Sequence, residues 1–336
     1  MKKITFSVLD LSPIPEGSCA PEAFANTCDL AQFAEKVGFS RYWLAEHHNM
    51  PGLACAATAV LVGHVAGVTK TIKVGAGGIM LPNHSPLVVA EQFGTLAALY
   101  PGRIELALGR APGTDQQTMR ALRRSSAYDI NDFPKDVLEL QTYLGRSVVK
   151  PGTFSKCTIP GRGLNLPIWI LGSSLYGAQL AASLGLPYGF ASHFAPGALM
   201  PALKVYRETF KPSAYLDRPY VLAGYNVFAA ENDKAGKFIM SSAQQAFLNL
   251  RQGHPAQLPP PIENFEEKIS KVEKNILSDV LACSVAGGPD TIKNGIEKFI
   301  NCTDVDELMI AGQIFDHQTR IRSYEIVSEI FIKREK

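Results

Sequence analysis

Short apolar runs of strand length alternate along this chain with stretches in which apolar residues return every three or four positions. The first pattern predicts buried strands and the second amphipathic helices. Ile4–Asp10 reads as a first strand, and the helix after it repeats Phe24, Cys28, Ala31 and Ala34 before Gly38 stops it. A second strand begins at Arg41, and residues 54–67 form a helix of small side chains. Ile72–Met80 is a third strand that carries Gly75, Gly77 and Gly78, which weaken it unless another group must approach its backbone closely. Ser85-Pro86 opens a helix to Tyr100, and Arg103–Arg110 is the fourth strand. Residues 115–146 read as helical with a break near Asn131–Pro134, and 147–165 as an excursion punctuated by Gly and Pro. Pro167–Leu171, Tyr188–Ser192, Pro219–Ala230 and Asp306–Ile310 complete eight strands. Within 252–265, Pro259-Pro260-Pro261 cannot be regular structure and reads as a second excursion or a lid.

Eight strands alternating with helices predict an α/β fold, a (β/α)8 TIM barrel with excursions before strand 5 and after strand 7. The expected organisation is one barrel domain over residues 1–336. No G-x-G-x-x-G follows the first strand, which counts against an open dinucleotide-binding sheet.

Composition narrows the class. Of the 336 residues 46% are hydrophobic and 19% charged, enough for a large core and too apolar for disorder. A net charge of +2 gives no basic face for nucleic acid or for a membrane surface. Arg120, Arg123 and Arg124 cluster, and a solvated helix face explains them. Six scattered cysteines (Cys19, Cys28, Cys55, Cys157, Cys283, Cys302) show no C-x-x-C pair, hence neither a disulfide framework nor a zinc site. The N-terminal apolar run is too short for a signal peptide and breaks at Asp10, and no stretch is long enough to span a bilayer. A reduced, soluble, cytoplasmic protein is expected.

The chemistry gathers at the strand ends, where barrel enzymes place their sites. Asp10 ends the first strand, Glu46-His47-His48 the second, Arg110 the fourth, Ser173-Ser174 the fifth, and His193 the sixth. Two adjacent imidazoles beside a carboxylate suit proton transfer, although a satisfied His pair in a loop has the same sequence. A metal-dependent hydrolase is a weaker reading, because neighbours on a strand point to opposite faces. Gly172-Ser173-Ser174 at a helix start offers N–H groups and hydroxyls to a phosphate, with Arg110 as a bidentate partner. A plain helix cap reads equally well.

Trp43-Leu44-Ala45-Glu46-His47-His48, Val74-Gly75-Ala76-Gly77-Gly78-Ile79-Met80-Leu81-Pro82, Leu106-Ala107-Leu108-Gly109-Arg110 and Leu171-Gly172-Ser173-Ser174 together resemble the bacterial luciferase-like flavin-dependent monooxygenases. The resemblance covers nearly the whole chain and is nearest to a single-chain branch. It implies a barrel that binds reduced FMN, received from a separate flavin reductase, and uses O2 to oxidise an aldehyde or another small apolar substrate. It implies that His47 is the catalytic imidazole with Glu46 and His48 supporting it. It also implies a cis peptide at Gly77-Gly78 against the flavin ring, and a phosphate between Arg110 and the turn of Gly172, Ser173 and Ser174. Two departures count against light emission. The light-emitting subunit has a reactive cysteine where this chain has Gly109, and Pro259–Pro261 does not look like its mobile lid.

Alternatives remain on the same fold: a deazaflavin-dependent oxidoreductase, or a non-catalytic flavin-binding partner or storage protein. A homodimer is expected through the helices near the second and third strands, from the small residues of 54–67 and the family's habit of pairing.

Overall fold

Eight parallel strands close on themselves in the computed structural model, which describes residues 4–111, 113–122, 132–145 and 159–333. In chain order the strands are β1 (Thr5–Asp10), β2 (Arg41–Leu44), β3 (Lys73–Met80), β4 (Ile104–Gly109), β5 (Ile168–Gly172), β6 (Tyr188–Phe190), β7 (Val221–Ala229), β8 (Ser284–Gly287) and β9 (Glu307–Ala311). β1 to β7 lie side by side in sequence order, and β9 closes the ring between β7 and β1. The predicted eighth strand is thus the ninth. β8 was not predicted: it is four residues long, largely half-buried, and pairs with Asn226–Ala229 beyond the reach of the three-residue β6.

Helices fill the gaps between strands, and Gly38 and Gly185 end two of them in the left-handed conformation that glycine adopts without a Cβ penalty. The small-residue helix is Thr58–Val68, and the stretch 115–146 resolves into Gln116–Leu122 and Phe133–Leu144. Two helices that sequence patterning did not assign, Phe265–Lys268 and Lys271–Val280, precede β8. Asn131, Arg123, Arg124, Cys157 and most of the predicted 147–165 excursion lie outside the described residues.

Alternation along the strands sorts the barrel wall. Trp43 points inward and its indole meets Trp169 edge-on at 5.1 Å, while Tyr42 points outward to the helix layer. The inner glycines of β3 make room for that indole. A Cβ at Gly77 would stand 2.9 Å from Trp43 and 3.1 Å from Leu9, closer than packed carbons can come. The lower half of the barrel is filled by charge rather than by aliphatic layers. Glu105 takes Arg41 at 3.0 Å and the Trp43 indole N–H at 3.1 Å; Glu307 takes Arg41 at 3.3 Å, the Tyr220 hydroxyl at 2.9 Å and the Ser7 hydroxyl. These buried carboxylates are tied down on several sides, the condition under which burial is tolerated. The mouth at the strands' carboxyl ends is what remains open.

The Pro-rich stretch does not hang free over that mouth. Leu258 N–H donates to Ile14 O at 2.9 Å and Glu16 N–H to Leu258 O at 2.8 Å, so the segment is laced to the loop after β1. A Cβ at Gly52 would lie 2.3 Å from Ala256 O, which fixes the loop after β2 against the same strap. Of the two readings the sequence left open, an excursion or a lid, the segment is an excursion fastened to the loop after β1.

Candidate active site at the barrel mouth

The chain leaves β2 at Leu44 under close control. Ala45 N–H donates to Asp10 O and the Thr58 hydroxyl to Ala45 O, each at 3.0 Å. Glu46 then turns inward and is buried. Its Oε1 accepts from His48 Nε2 at 2.7 Å and from His84 Nε2 at 2.8 Å, and Oε2 accepts the Met80 N–H at 3.1 Å. Burial alone would push this carboxyl up. The hydrogen bonds from His48 and His84, and the Met80 amide, overcome it and hold the pKa at about 2. Glu46 is therefore ionised at neutral pH, and both imidazoles carry a proton on Nε2.

The ligand atoms of Glu46, His48 and His84 lie within 4.8 Å of one another, the reach of a cation site. In this structure the 2.7 and 2.8 Å separations are hydrogen bonds. The three residues form a proton-holding clamp. His84 was not found from sequence: it lies 38 positions from Glu46, in the turn after β3.

His47, in the loop beyond β2, takes no part in this clamp. Burial lowers its pKa, with the Gly113 carbonyl pulling the other way. On the same side of the mouth is His193, after β6, whose pKa burial lowers to about 4 with a further contribution from His47. The floor beside His193 is apolar: Leu9, Trp43, Leu171, Leu222 and Met309, with Gly77 among them. The Gly77-Gly78 peptide is cis, as the resemblance implied.

On the rim, Arg110 lies with its guanidinium 4.0 Å from the centre of the Tyr176 ring. Tyr176 belongs to the helix Leu175–Leu184, which starts directly after Gly172, Ser173 and Ser174. Gly109 and Leu171 are register partners, so Arg110 and Gly172 sit at adjacent strand ends. The predicted phosphate residues are thus gathered in one place. Ser174 takes the cap position, but its hydroxyl caps nothing, and the Tyr188 hydroxyl donates to its carbonyl at 3.1 Å. Among the described residues Arg110 has no carboxylate partner. At Gly109 a Cβ would lie 2.7 Å from Met80 Sδ, so any side chain there would have to displace the end of the methionine.

One strand-end residue does not serve the mouth. Asp10 faces the wall and is buried among Arg320 Nη2 at 2.6 Å, the Thr27 hydroxyl at 2.7 Å, the Tyr42 hydroxyl at 2.5 Å and the Ser12 N–H at 2.8 Å. It holds β1 to the first and last helices.

A family model described as luciferase-like monooxygenase matches residues 4–303. A luciferase-like monooxygenase of Escherichia coli (strain K12) is 53% identical over 329 residues, covering 98% of this chain and 97% of that one. Among solved structures, apo-MsnO8 superposes with a TM-score of 0.85 at 31% identity, covering 98% of each chain. Two more distant structures share the fold. The FMN complex of the oxygenating constituent of 3,6-diketocamphane monooxygenase from Pseudomonas putida has a TM-score of 0.71 at 18% identity, covering 99% of each chain. An F420-dependent secondary alcohol dehydrogenase has 0.67 at 16%, covering 98% and 99%.

Proposed function

Because the chain belongs to the luciferase-like monooxygenase family, we propose that its mouth takes reduced FMN from a separate reductase and oxidises a small apolar substrate, such as an aldehyde, with O2. The observation that carries this reading is the pairing of an apolar floor with the Arg110 guanidinium on the rim, stacked on Tyr176 and without a carboxylate partner among the described residues. The residues fit the cofactor: the floor lined by Gly77, Leu171, Leu222 and Met309 is apolar, as a flavin ring requires, and Arg110 has no carboxylate partner among the described residues. Bound there, reduced FMN supplies the electrons and the activation of O2.

The chain's residues do the rest. Arg110 and the free N–H groups at the start of Leu175–Leu184 hold the phosphate. Leu9, Leu171, Leu222 and Met309 exclude water, which would divert the oxidation. His47 holds or moves a proton at its ring, uncharged near neutral pH because burial lowers its pKa. The clamp of Glu46, His48 and His84 fixes the backbone on both sides of His47.

The test is an absorbance record of the protein with added FMN, reduced by dithionite and then exposed to air with an aldehyde present. Acid product in proportion to O2 supports the reading. Flavin reoxidation without product, on a range of apolar substrates, points to a flavin carrier. Turnover with a reduced deazaflavin alone would favour a deazaflavin-dependent oxidoreductase.

Arg110→Ala should weaken FMN by about tenfold or more, the loss of a charge-assisted contact. Riboflavin, which lacks the phosphate, should bind as before. Equal weakening of both ligands would show that Arg110 serves the fold.

Pairing with a second copy completes the reading. The small residues expected to mediate it are used within the chain: Cβ atoms at Gly63 and Gly67 would stand 3.0 Å from Leu96 and 3.2 Å from the Tyr100 hydroxyl. Exposed aliphatics on the same helices, Val60, Leu87, Val88 and Leu99, are the better motive. Sedimentation should show a dimer at micromolar concentration, and a monomer there would dispose of the idea.

A further inference from the structure

His193 has no task in the proposal above, yet its place is built with care. The Ser192 hydroxyl donates to Gly224 O and the Asn226 amide to His193 O, each at 2.6 Å, so the loop is fastened to β7 on both sides of the ring. The ring lies on Gly224, where a Cβ would stand 2.1 Å from Nδ1. Any residue but glycine at 224 would evict it. Nδ1 is buried in that contact with no hydrogen-bond partner.

This fixes the tautomer. An N–H buried against a methylene forfeits a hydrogen bond, whereas a bare lone pair there meets only C–H. The proton of the uncharged ring therefore belongs on Nε2. With Nδ1 sealed against Gly224, Nε2 is the nitrogen left to meet an occupant of the pocket that the ring lines. Burial keeps the ring uncharged, its pKa down at about 4.

We propose that His193 is a further catalytic residue, donating Nε2–H to a carbonyl oxygen of the molecule held in the pocket. An uncharged imidazole polarises a carbonyl without giving up its proton. The inference rests on the flavin reading for what fills the pocket. The carbonyl belongs either to the flavin ring or to the aldehyde, which present the same acceptor.

The test begins on the wild-type protein with ¹⁵N-labelled histidine, whose ring shifts separate the two tautomers and the imidazolium. The Nε2–H form is expected near pH 7; the Nδ1–H form or a charged ring would overturn the proposal, whatever any variant does. His193→Phe fills the ring's volume with no donor, and His193→Gln returns a donor close to Nε2. If the flavin is the acceptor, Kd for FMN should rise about three- to tenfold in His193→Phe and recover in His193→Gln. If the aldehyde is the acceptor, Kd for FMN stays put and KM for the aldehyde rises by that factor, with the same recovery. Wild-type FMN binding with neither constant moved sinks the role of His193 alone. Failure of the wild type to bind FMN sinks the flavin reading, and the ring shifts then decide on His193.

Discussion

His47→Ala should still bind FMN and consume O2 while product per O2 falls by about 10²- to 10⁴-fold, the usual weight of a general acid or base. Binding survives because it is placed at the other end of the cofactor, on Arg110 and the turn before Leu175–Leu184. The electrons then end in H2O2 instead of product. His48→Ala should cost less, since that ring points at Glu46 and away from the floor, and His84 and the Met80 amide still hold the carboxylate. The measurement is product and H2O2 per O2, with reduced FMN supplied chemically. Unchanged coupling in His47→Ala, or loss of FMN binding, would show that the imidazole has another role.

The two histidines also show how far the sequence could be read. β2 ends at Leu44, so alternation does not reach His47 and His48; the structure parts them by tying His48 to Glu46 at 2.7 Å, a bond that His47 does not share. Alternation along β1 would have corrected Asp10: Leu9 lines the floor, so its neighbour must face the wall. A strand-end carboxylate looks alike in sequence whichever way it turns. The glycines of β3 announced a close approach, but not that Trp43 was the group approaching. His84 left no trace, because its bond to Glu46 joins two loops across 38 positions, a pairing no local pattern encodes. His193 was visible as a strand-end residue, but its role depends on Gly224, one of many glycines in the list of residues until the fold lays the ring on it. β8 was hidden by its length: four residues with little burial carry no periodicity.

Arg320→Met should destabilise the fold by about 3–5 kcal/mol, the cost of stranding a buried charge. Arg320 and Asp10 are both buried and meet at 2.6 Å between the barrel wall and the last helix. Methionine fills much the same volume, so the loss comes from the carboxylate left behind. Burial pushes the Asp10 carboxyl up, but Arg320, Tyr42 and Thr27 outweigh it and hold it below its ordinary value. A depressed carboxyl gives stability that is present above its unfolded pKa of about 3.9 and lost as pH falls through the folded value. Wild-type protein should therefore keep this contribution near neutrality and lose it only in acid. In Arg320→Met the sign reverses: without the guanidinium, burial dominates, the carboxyl rises above its unfolded value, and stability should improve as pH falls toward that value. Adding Asp10→Asn removes the stranded charge while keeping most of the acceptor geometry, so the double variant should recover much of the loss. Urea midpoints at several pH values measure all of this. A single variant within about 1 kcal/mol of wild type, or no recovery in the double, would mean that Thr27, Tyr42 and Ser12 hold Asp10 well enough without its arginine.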